Sequence, residues 1–225
     1  MAVAAYVERG SKRVFVGAVD WPGWCRSGRE EAAAIEALLA YAPRYRSALK
    51  GIRPAPPLPA SPDDVRIVER VRGDATTDFG APAIPLEADA RAFDDAALTR
   101  AAAMLGACWS AFDAAASAAA DRELAKGPRG GGRDLDAIVD HVVASESAYL
   151  RKLGTRGPDP AKASLTPEVV AAEREAVRGT LATAARDGLP ARGPRGGTIW
   201  LPRYFVRRAA WHVLDHAWEI QDRAG

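Results

Sequence analysis

The stretch RYFVRRAAWHVLDHAWEIQDR, residues 203–223, holds two of the chain's three histidines, and the fold prediction starts from it. Pro202 stands directly before it, where a proline favours the start of a helix, and the helix is predicted to run to about residue 223. His212 and His216 are four residues apart, so on a helix they lie on one face, one turn from each other. Two imidazoles at this spacing can bind one metal ion.

The third histidine, His141, lies on another predicted helix, over residues 134–153. Asp134 suits the N-cap of that helix and Gly154 suits its end. Because facing helices of a bundle project side chains to a common centre, we expect His141 to join the pair. Three neutral imidazoles leave a fourth position open, as in catalytic metal sites. The alternative is that each histidine is an ordinary core or surface residue.

Several polar side chains share the direction of the histidine pair on the helical wheel. Arg208, Asp215 and Glu219 fall there, and they predict a polar pocket wall in which Asp215 or Glu219 accepts a histidine N–H. The alternative is a solvated polar stripe on a surface helix. On the other helix, Glu146 points into the middle of the apolar face, where an unpaired carboxylate is costly. We therefore expect an arginine from another helix to pair with Glu146, and a catalytic role for it stays open.

The C-terminal half is predicted to hold four helices. Besides the two that carry histidines, they are an alanine-rich helix over 96–120 and a helix that begins at Thr166 and runs to about residue 186. Segments rich in glycine and proline separate them, and a long one at 155–165 follows the second helix. We expect a four-helix bundle with one long crossover after its second helix.

Residues 94–225 resemble the DinB-like superfamily of metal-binding four-helix bundles. DLDAIVDHVVASESAYLRKLG, residues 134–154, is similar to its second helix, and residues 203–223 are similar to its helix with the His-x-x-x-His pair. The resemblance implies the bundle fold and a metal bound by the three histidines. The superfamily includes mycothiol- and bacillithiol-dependent transferases and a mycothiol-dependent maleylpyruvate isomerase. The isomerase has a carboxylate ligand where this chain has a histidine, so its reaction is not implied.

The N-terminal part is predicted to be a small β-β-α-β unit. Residues 3–9 and 13–19 are rich in β-branched and aromatic side chains and predict a hairpin, with a loop over 20–28. A helix is predicted from Glu30 onward. Alternating apolar and charged residues over 65–71 predict a third strand that joins the hairpin.

This N-terminal part resembles the HicB-like domain over roughly its first 75 residues. The resemblance lies in a Pro-Gly-x-Cys element, a small polar turn and a Glu-Ala pair that opens the helix. These positions are Pro22, Gly23, Cys25, Gly28, Glu31 and Ala32. HicB antitoxins usually carry a separate DNA-binding segment, and the sequence shows none, so antitoxin or repressor function is not implied.

Together these patterns predict an α+β chain of two domains. Residues 1–75 form the HicB-like domain, and residues 90–225 form the DinB-like four-helix bundle. Five prolines within residues 51–64 predict an extended connector, because proline fixes the backbone and lacks an N–H donor.

Composition narrows the function classes. The 225 residues include 31 Lys+Arg and 29 Asp+Glu, a formal net charge of +2, which argues against a dedicated nucleic-acid binder. No apolar run reaches the roughly 18 residues of a membrane span, and the first residues do not resemble a signal peptide. We therefore expect a cytoplasmic protein without membrane contact. Cys25 and Cys108 are far apart, which excludes a disulfide framework or a cysteine zinc site.

Two functions follow from these observations. The first is a divalent-metal-dependent enzyme that activates a low-molecular-weight thiol, such as mycothiol, for attack on a small-molecule substrate. Nitrogen ligands fit zinc, nickel, copper or iron, and we expect zinc or nickel. The second is an interaction or regulatory protein that binds a partner through its sheet or the Trp21/Trp24 loop, with a structural or vestigial metal. A homodimer stays open in both.

Overall fold

A computed structural model describes residues 2–126, 132–157, 165–193 and 196–225. The N-terminal part is a four-stranded sheet in the order β3-β2-β1-β4. Strand β2 is antiparallel to both of its neighbours, whereas β4 is parallel to β1. The predicted hairpin and the third predicted strand that joins it are therefore confirmed. The strands are β1 (Val3–Arg9), β2 (Val14–Ala18), β3 (Cys25–Gly28) and β4 (Val65–Arg72).

The segment Cys25–Gly28, expected as part of a loop, is a strand. Its sequence CRSG lacks the alternating β-branched pattern on which strand prediction depends, so the prediction was wrong here. The pairing arises from tertiary contact, because β3 returns along the free edge of β2. Gly28 allows the close approach of the next helix, since a Cβ at this position would lie 2.6 Å from the backbone nitrogen of Ala34.

A long crossover joins β3, at one edge of the sheet, to β4 at the other edge, and the two strands run in the same direction. It contains two short helices, α1 (Glu31–Ala40) and α2 (Ala42–Ala48), where the sequence predicted one. The chain turns between them at Tyr41, and Pro43 lies in the first turn of α2. After β4, Asp74 caps a further short helix that was not predicted, α3 (Ala75–Phe79).

Four long helices form the C-terminal half. They are α4 (Asp95–Ala118), α5 (Leu135–Arg151), α6 (Pro167–Asp187) and α7 (Pro202–Ala224). Two predicted starts are confirmed by their caps, since Asp134 accepts the N–H of Ala137 and Thr166 accepts that of Val169. The predicted crossover at 155–165 lies largely outside the described residues.

Helix α7 is the central element of the molecule, because 14 of its 23 residues are buried. It packs on α4 and α5, and α6 packs on the same two helices. This arrangement is compatible with the predicted bundle. The other side of α7 faces the sheet, where the ring of Trp211 meets the ring of Phe15 edge-on, with 6.1 Å between centroids.

The sheet and the helices share one hydrophobic core. Val7 and Leu38 of the N-terminal part belong to the same buried cluster as Met104 and Leu214 of the helices. Gly23 has a positive φ of 93°, and its loop lies so close to α7 that a Cβ there would be 3.2 Å from the Ala210 carbonyl oxygen. The domain limits 1–75 and 90–225 stay a prediction.

The Trp21/Trp24 loop packs inward. Trp24 is 1% exposed, stacks on Tyr45 and donates from Nε1 to the Leu38 carbonyl. Trp21 is partly buried beneath the guanidinium of Arg100. The loop therefore does not offer an exposed tryptophan pair to a partner.

Within the described part of the chain, we find no helix with the length and apolarity that a bilayer crossing needs. Both cysteines, Cys25 and Cys108, are free and buried.

Candidate metal centre

Helix α7 places two histidines side by side. His212 and His216 are one turn apart, and their ring centroids lie 4.7 Å from each other. His212 is 6% exposed, and the side chain of His216 is 12% exposed. The closeness of the two rings follows from helical geometry alone, as the sequence predicted.

Helix α5 brings the third histidine to the pair. The ring centroid of His141 lies 5.0 Å from that of His212 and 5.0 Å from that of His216. The Nε2 atoms of His141 and His212 are 3.2 Å apart. One ring nitrogen from each histidine lies within 4.8 Å of the other two, so the three side chains form one cluster, the histidine cluster.

Burial favours the neutral form of two of the three histidines, His212 and His141. It lowers the pKa of His212 well below its usual value, and the charges of His216 and Arg208 lower it further. The pKa of His141 is also lowered, first by burial and then by the charges of Arg133 and His216. A neutral imidazole offers a lone pair on one nitrogen, which is the form that binds a metal ion.

Glu219 sets the orientation of His216. Its Oε2 accepts from His216 Nδ1 at 2.7 Å, and its Oε1 accepts from Arg223 at 2.6 Å. These interactions lower the pKa of the Glu219 carboxyl, the His216 hydrogen bond most of all. Because the carboxylate accepts a hydrogen bond from Nδ1, the ring proton is on Nδ1 and the lone pair of His216 is on Nε2.

Comparison with known families supports this interpretation of the helical half. The family model described as the DinB superfamily matches residues 104–220. The chain belongs to the DinB superfamily. The match begins inside α4, ends inside α7 and includes all three histidines. No curated protein and no solved structure matches the chain significantly. The family match does not reach the sheet, so the HicB-like resemblance stays a prediction.

Asp215, a predicted neighbour of the metal in this DinB superfamily chain, turns away from the histidine cluster. Its carboxylate pairs with Arg26 of β3 at 2.8 Å. Of the two acidic residues that the helical wheel could not separate, Glu219 therefore contacts a histidine and Asp215 joins α7 to the sheet.

Glu146 lies on α5 but has a different partner from the one expected. Its Oε1 accepts a short hydrogen bond from the indole Nε1 of Trp109 on α4. The expected pairing with an arginine is wrong, because Arg174 pairs instead with Asp113 and acts on Glu146 only through its charge. Burial raises the pKa of Glu146 to about 7.

Arg208 is buried beside the histidine cluster. Its guanidinium carbon lies 5.3 Å from the ring centroid of Tyr149 and 4.8 Å from that of Trp211. The Tyr149 ring in turn lies 5.8 Å from that of His212. The sequence predicted Arg208 on the wall of a pocket. In the structure the Tyr149 ring contacts Arg208 and also contacts His212 of the cluster.

Sequence reasoning missed one aromatic residue that contacts the cluster, Tyr149. The Tyr149 ring contacts both His212 and Arg208. Trp200 packs on Tyr149 at 5.2 Å between centroids and on Tyr204 at 4.8 Å. The position of Tyr149, two turns after His141, was the available signal, since residues at this spacing share a face.

Proposed function

We propose that this DinB superfamily protein is a divalent-metal-dependent enzyme whose metal is held by His141, His212 and His216. The distance between two of its ring nitrogens carries the proposal. Two nitrogens bound at 2.0–2.1 Å to a tetrahedral zinc lie about 3.3 Å apart. The Nε2 atoms of His141 and His212 are 3.2 Å apart, close to this separation.

The donor set fits such an ion in three further ways. Burial favours the neutral imidazoles of His141 and His212. The Glu219 carboxylate holds His216 with its Nε2 free to bind. The buried Nδ1 of His212 accepts from no donor among the described residues, so no protein N–H or O–H holds the ring in the tautomer that would block Nε2. We propose zinc or nickel, since both accept nitrogen ligands.

The reaction that we propose is transfer of a low-molecular-weight thiol, such as mycothiol, to an electrophilic small molecule. When bound, the metal supplies Lewis acidity that lowers the pKa of a coordinated thiol. The three histidines leave a position open for that thiol. Tyr149 and Trp200 form an aromatic wall beside the site. We further propose that α4 to α7 form the four-helix bundle of the superfamily, which their mutual packing supports.

Metal analysis of the purified protein tests the metal site. We expect about one zinc or nickel ion per chain, and we expect His212→Ala to lose it. Asp215→Asn is the matched control, because it lies between the two histidines on α7 but pairs with Arg26. A wild-type chain that takes up no divalent metal on reconstitution, or a His212→Ala variant that keeps its metal, would contradict the proposal.

Thiol-dependent turnover tests the reaction separately. The metal-loaded protein is mixed with a low-molecular-weight thiol and an electrophile such as 1-chloro-2,4-dinitrobenzene, and conjugate formation is followed by absorbance. We expect turnover above the uncatalysed rate in the wild type and in Asp215→Asn, but not in His212→Ala. Full metal occupancy without thiol binding would refute the transferase function and leave the metal site standing.

A further inference from the structure

The histidine cluster has a buried cation beside it. Arg208 is 8% exposed, and arginine stays protonated at every physiological pH. It lies one turn before His212 on α7 and therefore on the same face of the helix. The two residues are about 6 Å apart along the helix axis. Tyr149 and Trp211 each contact both Arg208 and His212, so the guanidinium lies beside the histidine cluster, with the same two rings against both.

No counter-ion for this cation is found among the described residues. Arg208 makes no salt bridge with them, and its buried Nη1 has no hydrogen-bond partner. Two aromatic faces partly stabilise the charge but supply no acceptor for its N–H groups. A buried charge without a partner is costly, so a protein keeps one where a ligand supplies the missing charge.

The other three arginines of α7 differ from Arg208 because each has a partner in the protein. Arg207 pairs with Asp89 at 2.6 Å, and Arg203 donates to the carbonyl of Ala92 at 2.6 Å. Arg223 pairs with Glu219. Each of these guanidiniums has a partner in the protein itself, whereas Arg208 has no such acceptor within the part of the chain that the structure describes.

We propose that Arg208 is the anion-binding residue of this site and that the ligand which enters beside the histidines carries a carboxylate. A guanidinium binds a planar carboxylate through two parallel N–H···O bonds, and the rings of Tyr149 and Trp211 favour a flat organic group. As the substrate class of a reaction, this inference rests on the proposed metal-dependent function. The binding of a carboxylate to Arg208 does not require the metal.

Calorimetric titration of the metal-free protein tests the binding. The probes are acetate, butyrate and benzoate, each compared with its neutral amide. We expect at least one carboxylate to bind about tenfold or more tightly than its amide, because hydrogen bonds to charged groups are strong. Arg208→Gln removes this preference, and Arg208→Lys retains part of it because it keeps the charge.

Arg203→Gln is the matched control, since Arg203 also lies on α7 above an aromatic ring, that of Phe93, but has backbone acceptors. It should keep the preference, and circular dichroism shows that each variant is folded. Equal binding of every acid and amide by the wild type, or a preference that survives in Arg208→Gln, overturns the proposal. A protein that binds no metal but prefers the carboxylate refutes the metal proposal alone.

A second titration assigns the carboxylate to the thiol or to the other reactant. Cobalt-loaded protein is titrated with 3-mercaptopropionate and with the neutral 3-mercapto-1-propanol, and the thiolate–cobalt absorption band is recorded. If the thiol carries the carboxylate, 3-mercaptopropionate binds more tightly and Arg208→Gln removes the difference. If the other reactant carries it, the two thiols bind equally, and the carboxylate that the wild type prefers binds together with 3-mercapto-1-propanol.

Discussion

Glu219 connects the histidine cluster to the end of α7. It accepts from His216 and from Arg223, so one carboxylate fixes the tautomer of a proposed ligand and is itself held in place. Carboxylates that hold metal-binding histidines in this way orient the ring and raise its basicity.

We expect Glu219→Gln to weaken metal binding by roughly 10–100-fold, because loss of such a partner typically has an effect of that size. Affinity is measured by competition with a chromophoric chelator. Asp215→Asn is the control, since its carboxylate binds Arg26, and it should leave the affinity unchanged. Equal affinities for Glu219→Gln and the wild type would show that the hydrogen bond to His216 has no part in metal binding.

Glu146 links the stability of the protein to pH. Burial raises its pKa in the folded state to about 7, above the ordinary glutamate value of 4.5. Between these two values the folded chain keeps the proton and the unfolded chain releases it. The free energy of unfolding contributed by Glu146 is therefore fully present below about pH 4.5, falls as the pH rises to about 7, and is lost above it.

We expect Glu146→Gln to remove this contribution, which is of order 3 kcal/mol for a shift of this size. The free energies of unfolding of wild type and variant are measured by urea denaturation at pH 5 and at pH 8. The wild-type value minus the variant value should be larger at pH 5 than at pH 8. This difference cancels the titration of the histidines, which both chains share. Glu175→Gln, at an exposed glutamate, is the control. A wild-type-to-variant difference that is the same at both pH values would contradict the assigned pKa.

The sequence identified the three histidines because there are no others and because helical spacing is periodic. It did not distinguish Glu219 from Asp215, since the two point in similar directions on the wheel. The distinction depends on Arg26, which lies 189 residues from Asp215 and reaches it only through packing of the sheet on α7. Partners of this kind cannot be predicted from the spacing along one helix.

At the scale of elements, the four long helices and α1 were predictable, whereas the short helices α2 and α3 and the short strand β3 were not. Helices α5 and α6 begin at capping residues that act locally, Asp134 and Thr166. Strand β3 and the division between α1 and α2 have no such local signal. They exist because the chain must pass from the edge of β2, over the sheet and back to β4.

Gly23 tests how the loop before β3 docks on α7. We expect Gly23→Ala to destabilise the protein, because a Cβ there would meet Ala210 at 3.2 Å and the side chain of Leu214 at 2.9 Å. Gly51→Ala is the matched control, since its φ is also positive, 101°, but a Cβ there would have nothing within 4 Å. Both variants incur a penalty of about 1–2 kcal/mol from the backbone, and Gly23→Ala should exceed it. Equal losses in thermal denaturation would contradict the close docking.

At the scale of the whole molecule, a buried ion pair joins the helical half to the segment that follows the sheet. Arg207 of α7 binds Asp89 at 2.6 Å, and the two side chains are 5% and 6% exposed. The same guanidinium donates to the Tyr6 hydroxyl of β1 at 3.1 Å and to the carbonyl of Ile84. One side chain thus connects α7 with two N-terminal segments, and the shared core surrounds them.

We therefore expect sheet and helices to unfold together, and Asp89→Asn to destabilise both by about 3 kcal/mol or more, because it leaves a buried guanidinium without its counter-ion. Hydrogen exchange of β1 and α7 measures the two parts separately under increasing denaturant. Asp215→Asn breaks the more exposed bridge to Arg26 and should change stability by about 1 kcal/mol or less. If α7 stayed protected while β1 exchanged at lower denaturant, the two parts would be independent domains, and Arg207 would stabilise only a contact between them.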